Sequence, residues 1–384
     1  HPGRERAAGY GATPVSSSPP RPASTLRALL YALLLFVLGD VAVFRSGLYA
    51  WLAKPESSGG WLTKRTLLAP PPIAAGDVAS VLLLGDSRIG EAIDEHALRE
   101  RLGAPPVAVV QAALPGSSPR VWAQVFDRLP QPPDGFSLVV LGLHDYDDDS
   151  GFEDQQRRMQ DLAYLGPGLG PTDAFALAAD LRCDTNPHAV RDVWLATLLK
   201  SFAWRRDVQD LAADPYTRYR EVRRQFGRLR WAAPYPGNPG SLAAVYVDGE
   251  AIRGLPANAS DVDRAVLRHL VFHERDVDNT AYRRRWLGEL ADRVRASGAE
   301  LVVVRLPLQV LPRAKPRVPS TAVVDELAQR PGVHVLPYEL LSPAEAPEFF
   351  FDALHANRDG RALCTRLLAD QLLARFAGRL GRPR

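Results

Sequence analysis

The sequence predicts an α/β fold of about five parallel strands, carrying a large, mainly helical insertion and an N-terminal transmembrane helix. Three observations predict it. Short, wholly apolar runs alternate with helical patterns from residue 77 onward, the rhythm of βαβ units. That rhythm is interrupted between about residues 147 and 279, a length that requires structure of its own inside a compact domain. One segment near the start is apolar enough to enter a bilayer. A chain of 384 residues that is 46% hydrophobic and 24% charged can bury a substantial core. Its 47 basic and 44 acidic residues leave a net charge of only +3, so no global field selects nucleic acid as a partner.

Residues 1–24, rich in Pro, Ser, Gly and Ala without apolar periodicity, read as a disordered leader. Residues 25–53 read as a membrane anchor. Between Arg27 and Arg45 the seventeen residues from Ala28 to Phe44 carry one charge, Asp40, and apolar character resumes through Leu48, Tyr49, Trp51 and Leu52. This is the short end of a span, which needs about 20 residues. Asp40 costs ~2.5–3.5 kcal/mol at the bilayer centre and less at the interface. The run is longer than a signal-peptide apolar region and no small-x-small cleavage site follows it, although a cleaved signal or a buried core helix remains the alternative. Arg4, Arg6, Arg21 and Arg27 outnumber Glu5, which puts the amino end in the cytoplasm and everything after Trp51 outside. Residues 54–76, with Ser-Ser-Gly-Gly at 57–60 and three prolines at 70–72, read as a linker to the globular part, 77–384.

In that part the expected strands are Val78 to Leu84, Val107 to Ala112, Ser137 to Leu143, Leu301 to Arg305 and Val333 to Leu336. Helices are expected at Asp94 to Leu102, Pro119 to Leu129, Thr280 to Ala296 and Thr321 to Gln329, with Gly298 and Gly332 as stop signals after the last two. Inside the insertion, read as a lid or cap over 147–279, helices are expected at Ala189 to Leu211 and Thr217 to Leu229. The first has an apolar face of Val193, Leu195, Leu198, Leu199 and Phe202. The insertion's arginines (205, 206, 218, 220, 223, 224, 228 and 230) fit either an anionic glycan or lipid headgroup or, more simply, a solvated helix face. Cys183 and Cys364 fit neither a disulfide scaffold nor a spaced metal site, and their spacing leaves their pairing open.

The chemistry concentrates at two places. The apolar run of the first strand stops at Gly85 and presents Asp86 and Ser87 in a turn at a strand's carboxyl end, where open α/β sheets bind ligands. Near the other end, in Phe349-Phe-Phe-Asp-Ala-Leu-His-Ala-Asn357, Asp352 and His355 stand three apart, a spacing that in a helical turn lets a carboxylate orient an imidazole. An amphipathic helix with Leu363, Leu367, Leu368, Leu372 and Phe376 follows. The order Ser, Asp, His also occurs in α/β-hydrolases, but their G-x-S-x-G elbow is absent, because Ile89 replaces the second glycine. The simpler reading of each half is structural: Gly-Asp is common turn chemistry, and Asp352 could cap the helix starting near Asn357.

Gly85-Asp86-Ser87 together with Asp352-x-x-His355 resembles the SGNH (GDSL-type) hydrolase superfamily, over roughly residues 77–145 and 281–376. The resemblance implies a three-layer flavodoxin-like domain in which Ser87 is the nucleophile, His355 the general base and Asp352 its orienter. It also implies an oxyanion hole of the Ser87 and Gly116 backbone N–H groups and a side chain from a Gly-x-Asn-Asp block. That block here reads Gly142-Leu143-His144-Asp145, so His144 stands where the asparagine would be. A neutral imidazole donates one hydrogen bond and can fill the role, or His144 simply packs at a strand end. Asp145, Asp147, Asp148 and Asp149 read as a solvated acidic loop, and no metal or cofactor is expected.

The anchor and the motifs together resemble the anchored SGNH proteins of bacterial cell envelopes. They imply a serine esterase or O-acyltransferase held in the bacterial inner membrane by one span and facing the periplasm. The implied substrate is the acyl ester of an envelope glycan, and the implied partner a polytopic membrane O-acyltransferase. The alternative is a weakly catalytic or inactive glycan-binding or scaffolding partner of such a complex.

Overall fold

A computed structural model of the chain describes residues 22–53, 79–103, 106–129, 132, 135–148, 161–182, 187–226, 237–256, 259, 261–272, 278–311 and 320–381. The expected leader up to residue 21, the whole expected linker, Asp149 and Cys183 lie outside the described residues. In chain order the helices are α1 (Pro22–Gly39), α2 (Leu48–Leu52), α3 (Ser87–Ala92), α4 (Glu95–Leu102), α5 (Pro119–Phe126), α6 (Pro171–Arg182), α7 (Pro187–Leu198), α8 (Lys200–Ala203), α9 (Arg205–Ala213), α10 (Pro215–Phe226), α11 (Asp261–Phe272), α12 (Thr280–Ala296), α13 (Ala322–Ala328) and α14 (Arg358–Gly381). The strands are β1 (Ala79–Gly85), β2 (Val107–Ala113), β3 (Leu138–Leu143), β4 (Tyr246–Asp248), β5 (Ala251–Arg253), β6 (Glu300–Arg305) and β7 (Val333–Val335).

The protein is α/β. Five strands form one sheet in the order β2-β1-β3-β6-β7, every neighbouring pair parallel. Each strand in β1, β2 and β3 is buried along its whole length, which is why their sequences are continuous apolar runs rather than alternating ones. Successive side chains go to opposite faces. Leu82 and Leu84 pack with Phe126, Trp286, Leu290 and Val323 of α5, α12 and α13. Val81 and Leu83 pack with Ile89, Leu98, Leu368 and Leu372 of α3, α4 and α14 on the other side. Cys364 is a free thiol fully buried in this second layer, and burial pushes its pKa up to about 12.

The insertion divides into two parts with different neighbours. Its first part shares the core of the first layer: Tyr164, Leu165, Leu177 and Val193 are buried in one cluster with the strands and α5. Its second part, the β4–β5 hairpin and α11, forms a separate cluster of Leu242, Val245, Val247 and Leu267 with Leu311 and Ala353. Periodicity did not announce this hairpin, because each strand is only three residues long.

The expected helix from Ala189 to Leu211 is broken into α7, α8 and α9. Leu199 adopts φ −124°, ψ 105°, and Leu198, expected on the apolar face, is 66% exposed, whereas Val193 is buried. The cause lies far away in the chain. The Asp40 carboxylate accepts the backbone N–H groups of Lys200 at 3.0 Å and Ser201 at 2.6 Å, capping a new helix start. Arg45 donates to the last carbonyls of α7, Thr197 at 3.0 Å and Leu198 at 2.7 Å.

The segment Thr25–Arg45 is long and apolar enough to cross a membrane, and its side chains up to Gly39 are exposed. After α1 the backbone runs π-helically through Asp40–Arg45, turns at Gly47 (φ 82°) and enters α2. Asp40 is 3% exposed, enclosed by protein rather than facing outward as a bare charge in the apolar run. Tyr49 donates to Asp207 at 2.7 Å, and Arg218 pairs with the same carboxylate at 2.8 Å and reaches the Leu52 carbonyl. The end of the apolar helix is therefore built into the first part of the insertion.

Candidate active site

The site forms where β1, β2 and β3 end side by side. Gly85 is in register with Ala113 of β2 and Gly142 of β3, so the residues just beyond each strand meet at one edge. Gly85 has φ +152°, and a Cβ there would lie 2.8 Å from the Gly142 carbonyl oxygen. The absence of side chains at both positions lets the chain turn directly from β1 into α3. Asp86 caps α3 by accepting from the Arg88 N–H at 2.9 Å, and its carboxylate also holds the Arg88 guanidinium, with both side chains buried. Ser87, the first residue of α3, is partly exposed at the edge.

His355 and Asp352 reach this serine from the other end of the chain. Ser87 Oγ lies 2.8 Å from His355 Nε2, and His355 Nδ1 lies 2.8 Å and 3.0 Å from the two Asp352 oxygens. With Nδ1 donating to Asp352, Nε2 is left to accept the Ser87 hydroxyl proton. The pair is held by an irregular turn, not the helical turn expected from the spacing: Asp352 Oδ1 also accepts the backbone N–H groups of Leu354 and His355, each at 2.8 Å. Asp352 does not cap the following helix. Asn357 does, its Oδ1 accepting from Asp359 and Gly360. The Phe351 ring stacks on the imidazole at 5.8 Å between centroids.

These contacts set the protonation of the pair. Burial alone would push the His355 pKa down, but the hydrogen bond to Asp352 and its charge prevail and hold it above the ordinary value; Asp86 adds to the rise and Arg88 opposes it. Burial would likewise raise Asp352, yet the His355 hydrogen bond and charge, with the two backbone donors, hold it below the usual carboxylate range. The arrangement can therefore withdraw a proton from Ser87 and store it on an imidazolium facing a carboxylate.

The other two expected residues stand at the same edge. Gly116 occupies an exposed turn with φ 69° just past β2, where Leu114 N–H donates to the Gly85 carbonyl at 2.8 Å. His144 is buried just past β3, two residues beyond Gly142. Two acids of the loop after it are not solvated. Asp147 and Asp148 are buried, Asp147 Oδ1 accepting from Ser320 N–H at 3.0 Å and Asp148 Oδ2 from Val323 N–H at 2.9 Å, with Arg283 between them. Burial pushes Asp145 above its usual pKa against the charge of Arg305. Among the described residues no group of three or more His, Cys, Asp or Glu side chains is arranged to hold a metal.

Sequence reasoning did not find what supports these residues. Tyr164 donates to the Pro115 carbonyl, and Asp161 accepts from Ser118 Oγ at 2.8 Å and from the fully buried Arg120 at 2.9 Å, so the first part of the insertion braces the Gly116 turn. The second part braces the histidine turn. Asn357 Nδ2 donates to the Gly240 carbonyl at 2.9 Å, Arg358 N–H to Asn238 at 2.8 Å, and Leu242 N–H to Phe350 at 2.9 Å. Only the Asp86–Arg88 pair had a local signal, two opposite charges flanking the serine. No protein-family model matches the chain, and no curated protein matches it.

Proposed function

We propose that the protein is a membrane-anchored serine esterase or O-acyltransferase of the SGNH type, acting on acyl esters of an envelope glycan. The observation that carries the reading is the unbroken hydrogen-bonded chain from Ser87 Oγ through His355 to Asp352 at the carboxyl edge of a parallel sheet. The strand order, with its switch between β1 and β3, is the flavodoxin-like order and supports the same reading. Ser87 attacks the acyl carbonyl while His355 takes its proton. The N–H groups of Ser87 and Gly116, with His144, stabilise the oxyanion, a donor of this kind being worth ~3 kcal/mol. The protonated His355 then releases the alcohol, and water or a sugar hydroxyl resolves the acyl-enzyme.

The apolar helix holds the domain on the outer side of a bacterial inner membrane, following the arginines that precede it. In that place a polytopic membrane O-acyltransferase is a fitting acyl donor. The test uses the full chain in detergent, because residues 40–53 are packed into the globular part. Wild type hydrolyses p-nitrophenyl acetate and Ser87→Ala does not. Equal rates would overturn the enzymatic reading in favour of a glycan-binding domain. Labelled acetyl appearing on added oligosaccharide identifies transfer, whereas free acetate alone identifies hydrolysis.

A further inference from the structure

We propose that the surface of the insertion around the end of the apolar helix rests on an anionic phospholipid bilayer, so that anchor and insertion form one membrane-facing body. The inference rests on the apolar helix spanning the membrane and is independent of the esterase chemistry. Outside that helix, nine large hydrophobic side chains are exposed among the described residues. Seven of them, Leu48, Trp51, Leu52, Phe175, Leu198, Tyr216 and Tyr219, lie on α2, α6, α7 and α10, and only Tyr246 and Val310 lie elsewhere. Of these elements, α2, α7 and α10 meet at the helix exit, and α6 packs on α7. Arg45 bonds the Leu198 carbonyl, Arg218 of α10 reaches the Leu52 carbonyl, and Phe175 packs edge-on against Trp194 of α7 at 4.6 Å. Large exposed apolar groups gathered on one side of a soluble surface mark an interaction site.

Length points to lipid as the occupant. The apolar stretch from Leu26 to Gly39 rises only ~21 Å, short of the ~30 Å hydrocarbon core. The protein that encloses Asp40 is therefore drawn against the bilayer, which brings Leu198 and Trp51 toward the interface where exposed apolar and aromatic side chains are stable. The charge pattern agrees. α10 turns Arg218 and Val222 inward and leaves Tyr216, Tyr219, Arg220 and Arg223 exposed at i, i+3, i+4 and i+7, beside an open groove that they line. A tyrosine and arginine stripe is the composition of a helix lying in an anionic interface.

The test places a nitroxide at single cysteines in the full chain carrying Cys183→Ser, Cys364 being buried. Phe175→Cys, Leu198→Cys and Tyr219→Cys probe the surface, Leu33→Cys the span and Tyr246→Cys the opposite control. In vesicles of phosphatidylcholine with phosphatidylglycerol, oxygen collisions should dominate over those of a nickel chelate at 33, 175, 198 and 219, and the chelate should dominate at 246. Chelate dominance at the three surface positions with position 33 in lipid would overturn the proposal while leaving the span intact. Chelate dominance at 33 would remove the span and the proposal together. Arg220→Glu with Arg223→Glu should return position 219 toward the chelate; an unchanged signal there would overturn the anionic-headgroup part.

Discussion

Gly85 and Gly142 set how closely the serine turn approaches the neighbouring strand. A Cβ on Gly142 would come within 2.9 Å of Ile89, the residue that stands where an α/β-hydrolase elbow has its second glycine. Ile89 fills the space that Gly142 leaves, so Gly142→Ala should displace α3 and Ser87 with it. We expect a loss of about 1–3 kcal/mol by thermal unfolding and, under the proposed function, a parallel loss of esterase rate. The pH dependence is set by Asp352 and His355. On the proposed mechanism neutral His355 is the base, and its pKa is held above the ordinary ~6.5, so kcat/KM should rise with pH through a midpoint above that value. Asp352→Asn removes the carboxylate and leaves burial, which lowers the pKa. The midpoint should then move to lower pH while the rate falls by about 10²- to 10⁴-fold; a midpoint that stays in place would assign the shift to something other than Asp352. For stability the signs are opposite. Asp352, lowered on folding, contributes above ~3.9 and loses that as pH falls, whereas His355, raised on folding, contributes below ~6.5 and loses that as pH rises through its folded pKa.

Among the elements, the insertion acts as two braces, and each can be loosened separately. Asp161 and Arg120 form a buried pair under the Gly116 turn, with Arg120 also lying over the Tyr282 and Trp286 rings. Asp161→Ala takes the carboxylate away from a fully buried guanidinium and should cost about 3–5 kcal/mol, read as a lowered denaturant midpoint. Asp40→Ala should cost less, about 1–2 kcal/mol, because it removes a helix cap and frees the start of α8. Amide exchange in Lys200 and Ser201 should speed up in that variant, and unchanged protection would show that the cap is dispensable. The sequence showed the arginines and aspartates of this region only as mixed charge on helices. Partners such as Asp40 and Lys200, 160 positions apart, carry no local pattern that could announce them.

At the scale of the whole molecule, the apolar helix, the first part of the insertion and the Gly116 turn form one chain of contacts, linked through Asp40, Tyr164 and Asp161. A chain starting at Lys54 loses the Asp40 caps and the Tyr49 bond to Asp207. It should unfold at a lower temperature than the full chain in the same detergent and be cut by protease first within the insertion. Identical melting and cleavage would show that the helix is only a tether. A reporter fused after Trp51 should be active on the outer side of the membrane, and cytoplasmic activity would reverse the orientation.

The sequence by itself determined the five-stranded parallel sheet to within one or two residues at most strand ends, and the apolar helix near the start. Both are written in local hydrophobic pattern, which depends on burial of consecutive residues and not on distant partners. It also singled out Ser87, Asp352 and His355, because a strand end and a short acid-to-histidine spacing are local features. Tertiary structure alone decided that Ser87 meets the Asp352–His355 pair, since Ser87 and His355 are 268 positions apart and it is the packing of α14 against α3 and α4 that carries the histidine turn back to the end of β1. It alone decided that the insertion braces the site on two sides, that Asp147 and Asp148 are buried rather than solvated, and that α7 stops at Leu198. In each case a buried polar group found its partner across the fold, and such a partner is specified by geometry rather than by the neighbouring residues.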